Sequence, residues 1–145
     1  MASKKESDLT FLNMAEAFSE LSKAVRQKVG CIIVKDGQVI SNGFNGTPSG
    51  FDINCEDFYS SAPYPGRLVT KPEVLHAESN ALMKLAMSTN SSKGSTMYLT
   101  CSPCFDCSKL IIQAGVERVV YTHKYRDEKG LALLKKANII VEQYE

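Results

Sequence analysis

No sign of charge dominates this chain: 17 Lys and Arg stand against 16 Asp and Glu in 145 residues, a formal net charge of +1 at pH 7. A near-neutral chain has no general field for a polyanion and carries no dense Lys/Arg run, so no nucleic-acid partner is expected. Long hydrophobic runs are also lacking. None approaches the roughly 20 residues of a membrane-spanning helix, so no membrane partner is expected. Cysteine is odd in number, five in all, and no secretory apolar segment is present. This excludes a disulfide framework and points to a reducing, cytoplasmic setting. There is no internal repeat. At 43% hydrophobic content the chain can bury one substantial core and no second. Residues 1–145 are therefore read as a single domain whose polar first seven residues are mobile.

What is present is concentrated in two short motifs. His76-Ala77-Glu78 lies upstream of Ser102-Pro103-Cys104-Phe105-Asp106-Cys107. One His and two Cys can hold a zinc ion and leave its fourth tetrahedral position to water, whereas structural sites usually close with a fourth Cys or His. His76, Cys104 and Cys107 are the candidate ligands. Glu78 is the candidate catalytic residue, because hydrolysis at a metal-activated water also needs a proton carrier. H-x-E followed by P-C-x-x-C is the pattern of zinc nucleobase deaminases, in which the Glu moves protons without binding the metal. Ser102 is expected to cap a helix that begins at Pro103, with both thiols near the positive end of its dipole. Cys101 then belongs to the end of a strand. Thr70 and Glu73 resemble a capping box for a second helix, with Leu75, Leu82, Leu85 and Ala86 as its buried stripe. His76 and Glu78 diverge in a regular helix, so they converge on one metal only near its start. Cys31 and Cys55 read as free thiols and His123 as a surface residue.

The rest of the chain alternates helix and strand. Phe11, Met14, Phe18, Leu21 and Val25 recur at helical steps. Val29 to Val34 is a β-rich run, Asp36-Gly37 a two-residue hairpin signal, and Gln38 to Ser41 the return strand. From Asn42 to Lys71, Gly, Pro, Ser and Asn predict a long loop. Strands are expected at 96–100, 118–121 and 139–143, with a helix over 127–137. Strand, helix, strand in succession predicts that these later strands are largely parallel, with helices on the sheet faces.

Three stretches carry a resemblance: the segment from His76 to Ala81, the segment from Cys101 to Val116, and Gly43-Phe-Asn-Gly-Thr-Pro-Ser-Gly50. They resemble the deoxycytidylate deaminase branch of the cytidine deaminase-like superfamily, from about residue 9 to the C terminus. The resemblance implies an α/β chain, a three-layer α/β/α fold with a five-stranded mixed sheet. It also implies zinc-dependent conversion of dCMP to dUMP in a homo-hexamer activated by dCTP and inhibited by dTTP, with Mg2+ accompanying the triphosphate. It assigns Asn45 to the deoxyribose; beside Gly46, Asn45 also reads as a turn former. Ala77 can offer its backbone N–H to the pyrimidine carbonyl, and Ser102 and Pro103 frame the opposite wall. Tyr125 and Arg126, after a strand end, are candidates for the 5′-phosphate, or else solvated surface groups. The effector is expected away from the zinc, at Arg26, Lys28, Asn42, Gly43, Phe44, Asn45 and Gly46. Phe44 stands where the family commonly has Tyr, and the segment before His76 is short, so no second zinc is expected. A polynucleotide deaminase, a free-nucleoside deaminase and a zinc-stabilised interaction module are the other readings.

Overall fold

The computed structural model describes residues 1–63 and 65–145. Its elements are α1 (Lys4–Ser19), β1 (Gly30–Lys35), β2 (Gln38–Phe44), β3 (Glu56–Tyr59), β4 (Arg67–Thr70) and α2 (Ala77–Ala86). β5 (Thr96–Cys101), α3 (Phe105–Gln113), β6 (Arg118–His123), α4 (Lys129–Lys136) and β7 (Ile140–Gln143) follow. The main sheet has five strands in the order β2-β1-β5-β6-β7. β1 runs antiparallel to both neighbours, while β5, β6 and β7 are mutually parallel. The expected mixed α/β sheet is the one observed.

Side-chain alternation places this sheet between two layers. Cys31 and Ile33 of β1, Met97 and Leu99 of β5, and Val119 and Tyr121 of β6 pack toward Ala81, Ile111 and Leu134 of α2, α3 and α4. The intervening Ile32, Val34, Tyr98 and Val120 meet Leu12 and Ala15 of α1. Burial on both faces explains why β1 is a continuous apolar run. At the hairpin, Asp36 and Gly37 have φ of 51° and 76°, the left-handed pair that a type I′ turn needs.

Helix boundaries differ from the sequence reading in three places. Residues 4–7 are helical: Ser3 and Glu6 form a capping box, so α1 starts at Lys4. It ends at Ser19, leaving Leu21 and Val25 outside it and exposed. The buried stripe is Asp8, Leu12, Ala15 and Ser19, and its polar members hid it from an apolar periodicity. Second, α2 starts at Ala77 with His76 as N-cap, while Thr70 ends β4. The Thr70–Glu73 box therefore does not form, and Leu75 instead bridges Gly46. Third, Cys104 caps α3, its sulfur accepting from the Cys107 N–H at 3.4 Å. Ser102 Oγ accepts from the Tyr125 N–H at 2.7 Å.

The expected loop over 42–71 contains the end of β2 and the antiparallel pair β3–β4. β2 continues through Gly43 because α2 lies directly over it. A Cβ there would stand 2.4 Å from the Ala77 carbonyl oxygen and 2.7 Å from the Ala81 nitrogen. Glycine is required by close approach rather than by a turn. No helix among the described residues is long and apolar enough to cross a membrane.

Candidate active site

The carboxyl ends of β5 and β6 pair at Cys101 and His123, and Ser102 donates its N–H to the His123 carbonyl at 2.8 Å. Just beyond, the amino ends of α2 and α3 converge. His76 Nδ1 lies 3.2 Å from Cys107 Sγ and 3.5 Å from Cys104 Sγ, and the three donor atoms are within 4.8 Å of one another. Zinc bonds of about 2.0 Å to nitrogen and 2.3 Å to sulfur put N and S ligands roughly 3.5 Å apart around a tetrahedral ion. The donor set therefore fits one zinc held by three protein ligands. Cys101 is buried and is not part of the group.

Electrostatics favour a bound cation. The hydrogen bond from Cys107 holds the Cys104 thiol down at about 4, against the opposing effect of burial, and His76 and the Cys107 N–H add to it. The same sharing pushes Cys107 up. The hydrogen bond with Cys104 raises His76. Glu78, one residue into α2 and 4% exposed, is pushed up by burial.

His76, Glu78 and Cys104 open on a cavity of about 340 Å3, within the usual range for small-molecule sites. Its wall includes Ala77, Ser102, Asn45, Tyr125 and Arg126. Pro103 is fully buried and is not on that wall. Its carbonyl faces α4, where a Cβ on Gly130 would lie 2.3 Å from it. Asn45 acts as a staple: its Oδ1 accepts from the Val29 N–H and its Nδ2 donates to the Gln27 carbonyl, both at 2.8 Å. One Nδ2 hydrogen is left beside the cavity. The Arg126 guanidinium sits 5.8 Å from the Tyr125 ring centroid.

The expected effector residues do not form one site. Arg26 lines the same cavity as His76 and Glu78, as does Asn45, which contradicts a location away from the zinc for those two. The cause is the Asn45 staple together with β3, which fold the segment before β1 inward. Lys28 pairs with Glu20 at 3.9 Å. Asn42 accepts from Lys84 at 3.0 Å, and the same ammonium lies 5.8 Å from the Phe44 ring centroid. Gly43 serves the approach of α2, and Gly46 exchanges backbone hydrogen bonds with Leu75. His123 is exposed and Cys31 and Cys55 are buried free thiols, as expected. Sequence reasoning missed Gln27, Glu56, Thr70 and Lys124 on the wall. Only Lys124, adjacent to Tyr125, carried a local signal.

Residues 5–123 match the family model described as the cytidine and deoxycytidylate deaminase zinc-binding region. The chain belongs to this deaminase family. Within the family it is 32% identical over 157 residues to the deoxycytidylate deaminase of Enterobacteria phage T2, covering 83% of this chain and 81% of that protein. It is 39% identical over 126 residues to the deoxycytidylate deaminase of Mycobacterium phage D29, covering 82% and 96%. The dCMP deaminase of cyanophage S-TIM5, crystallised in complex with dCMP and dUMP, superposes with a TM-score of 0.89 at 43% identity, covering 99% of this chain and all of that one. The resemblance read from the motifs and the α/β architecture it implied both hold.

Proposed function

We propose that this deaminase hydrolyses dCMP to dUMP and ammonia, with zinc held by His76, Cys104 and Cys107 and protons carried by Glu78. The observation that carries this reading is the coincidence in one cavity of His76 and Cys104 from the His/Cys/Cys group, the buried Glu78 and the cationic residues Arg26, Lys124 and Arg126. The neighbouring cyanophage enzyme crystallised with dCMP and dUMP supports the choice of nucleotide.

Bound zinc would supply Lewis acidity, lowering the pKa of water toward 7. Glu78 takes the proton released as the water oxygen bonds to C4 of the pyrimidine. It passes that proton to the ring nitrogen, then takes a second from the new C4 hydroxyl and delivers it to the departing amine as the C4–N bond breaks and the carbonyl forms. Burial suits it, because a carboxylate with a raised pKa gives up and takes back a proton more readily near neutral pH. Ala77 opens α2, so its N–H has no helical partner and is free for the pyrimidine carbonyl. Asn45 can donate its remaining Nδ2 hydrogen to a sugar oxygen. Arg26, Tyr125 and Arg126 receive the 5′-phosphate, which the charge-assisted geometry of arginine favours.

Regulation by dCTP and dTTP with Mg2+, in a hexamer, rests on the family resemblance. Lys28, Asn42, Gly43, Phe44 and Gly46 are the members of the expected effector set that stay outside the cavity. Five free cysteines among the described residues support a reducing, cytoplasmic setting. Rates on dCMP, dCTP, cytidine, deoxycytidine and a short single-stranded DNA test the assignment. Preference for dCMP is the expected outcome; preference for deoxycytidine or for the oligonucleotide would replace it with a nucleoside or nucleic-acid deaminase.

A further inference from the structure

Gly130 is the second residue of α4, buried and in ordinary helical backbone. Backbone conformation does not call for glycine there, and alanine is the better helix former. Contact does call for it. A Cβ at Gly130 would stand 2.3 Å from the Pro103 carbonyl oxygen, 2.7 Å from the Cys104 carbonyl oxygen and 2.7 Å from Ser108 Oγ. Cys104 belongs to the group that can hold a metal. The missing side chain therefore lets the bare backbone of α4 rest on the turn that presents the Cys104 sulfur.

That turn is tied on every side. Ser102 donates its N–H to the His123 carbonyl at 2.8 Å and accepts from the Tyr125 N–H at 2.7 Å. The ring of Pro103 fixes the next φ. The Cys104 carbonyl accepts from Ser108 twice, from its N–H at 2.9 Å and from its Oγ at 2.8 Å. Opposite the turn, Leu131 and Leu134 anchor α4 in the core. The shortest of the three Cβ distances falls short of ordinary contact, 3.4 Å, by about 1 Å, and close-packed interiors transmit such strain rather than absorb it. A metal–ligand bond tolerates only roughly 0.2 Å, so a fraction of that displacement passed along the turn takes the sulfur out of place. Resting on the reading of His76, Cys104 and Cys107 as zinc ligands, we infer that Gly130 is a positioning residue for the metal. Its missing side chain sets where the Pro103–Cys104 turn stands, and so where the Cys104 sulfur meets the ion.

Competition for zinc between the loaded protein and a chromophoric chelator tests this. Leu134→Ala serves as the comparison, because it opens core space one turn further along the same helix. Gly130→Ala is expected to hold zinc at least roughly tenfold more weakly than wild type, the scale seen when the groups that orient a metal ligand are disturbed. Leu134→Ala should lose at least as much melting temperature, yet keep its zinc affinity within about threefold, since its side chain does not carry the turn. Cobalt(II) loaded in place of zinc gives a second readout, because its visible absorption follows ligand geometry. The bands of Gly130→Ala should differ from those of wild type and the bands of Leu134→Ala should match them. Wild-type zinc affinity in Gly130→Ala overturns the inference. Equal loss of affinity in both variants overturns it as well, since a general loosening of the fold then suffices. A Gly130→Ala chain that does not fold makes the glycine a requirement of the fold rather than of the site, with the same result. Wild type separates the failures: if it takes up no zinc, the metal reading falls and this inference with it, whereas a zinc-binding wild type beside an unaffected variant removes only the role of Gly130.

Discussion

Two buried clusters of charged groups in this chain treat their carboxylates in opposite ways. On the α1 side of the sheet, Asp8 is closed on every side. It accepts from Arg118 at 2.9 and 2.5 Å, from Tyr98 at 2.7 Å and from Tyr144 at 2.8 Å. Arg118 also reaches Glu142 at 2.7 Å, and Lys4 joins that carboxylate at 3.0 Å. Burial alone would raise Asp8, yet the hydrogen bonds from Arg118, Tyr98 and Tyr144 hold it down at about 2. In the cavity the balance reverses, and burial pushes Glu78 up. Glu56 keeps one oxygen without a partner among the described residues. Burial has no fixed effect on a carboxylate; the supply of donors decides its sign. A cluster with every valence filled stabilises the fold, and one with valences left open is ready for a ligand.

The largest expected effect comes from breaking the closed cluster. Arg118→Ala leaves Asp8 buried without its cation and should cost on the order of 3–5 kcal/mol, read from denaturant unfolding. The folded fraction should keep its turnover rate. A loss of rate per folded molecule would show that the two clusters are coupled, which breaks the contrast.

Glu78→Gln sharpens the contrast from the other side. The rate should fall about a thousandfold, the scale of lost acid–base catalysis, while zinc content and unfolding midpoint stay near wild type. Near-normal turnover with zinc retained would remove Glu78 from the chemistry.

Arg126→Ala is expected to weaken kcat/KM for dCMP by a factor equivalent to about 1.5–3 kcal/mol, the worth of a hydrogen bond to a charged group. Deoxycytidine, which has no phosphate, should be spared. Equal losses on both substrates would mark Arg126 as structural.

The smallest effect is one of pH. Asp8 titrates at about 2 in the folded chain, below its usual 3.8. Its contribution to stability is therefore complete above the unfolded pKa and is lost as pH falls from about 5 toward 2. Glu142, lowered chiefly by Arg118, adds to the loss in the same direction. Melting temperatures at pH 7, 4 and 3 should decline along that limb, and Asp8→Asn should flatten it. An unchanged slope in the variant would assign the acid sensitivity to other carboxylates.

The group that could hold a metal was legible in the sequence where its parts are close together in the chain. His76 and Glu78 are two residues apart and Cys104 and Cys107 three, so each pair is oriented by a single helix start. Asp36-Gly37 specified its turn for the same reason, since two left-handed residues suffice. Asp8 was not legible. It occupies the buried stripe of α1, and a carboxylate is acceptable there because distant donors reach it: Tyr98, Tyr144 and Arg118, the last 110 residues away in sequence. Arg26 misled in another way: its charge suggested a separate anion site, but its backbone N–H is fixed by Glu56, 30 residues on. Ser102 looked like a helix cap until the backbone of Tyr125 arrived as its donor.

By itself, the sequence determined the His/Cys/Cys group that could hold a metal, the carboxylate two residues from its histidine, the alternation of elements and so the family. These depend on short spacings, helix starts and side-chain periodicity, all of which act over a few residues. Only the tertiary structure decided which side chains share the cavity and which carboxylates are closed or open. That depends on whether distant segments deliver donors to a buried oxygen, as Arg118 does for Asp8 and as no described group does for Oε1 of Glu56. A hydrogen bond is decided within a few tenths of an ångström, a precision reached only when the whole chain has packed.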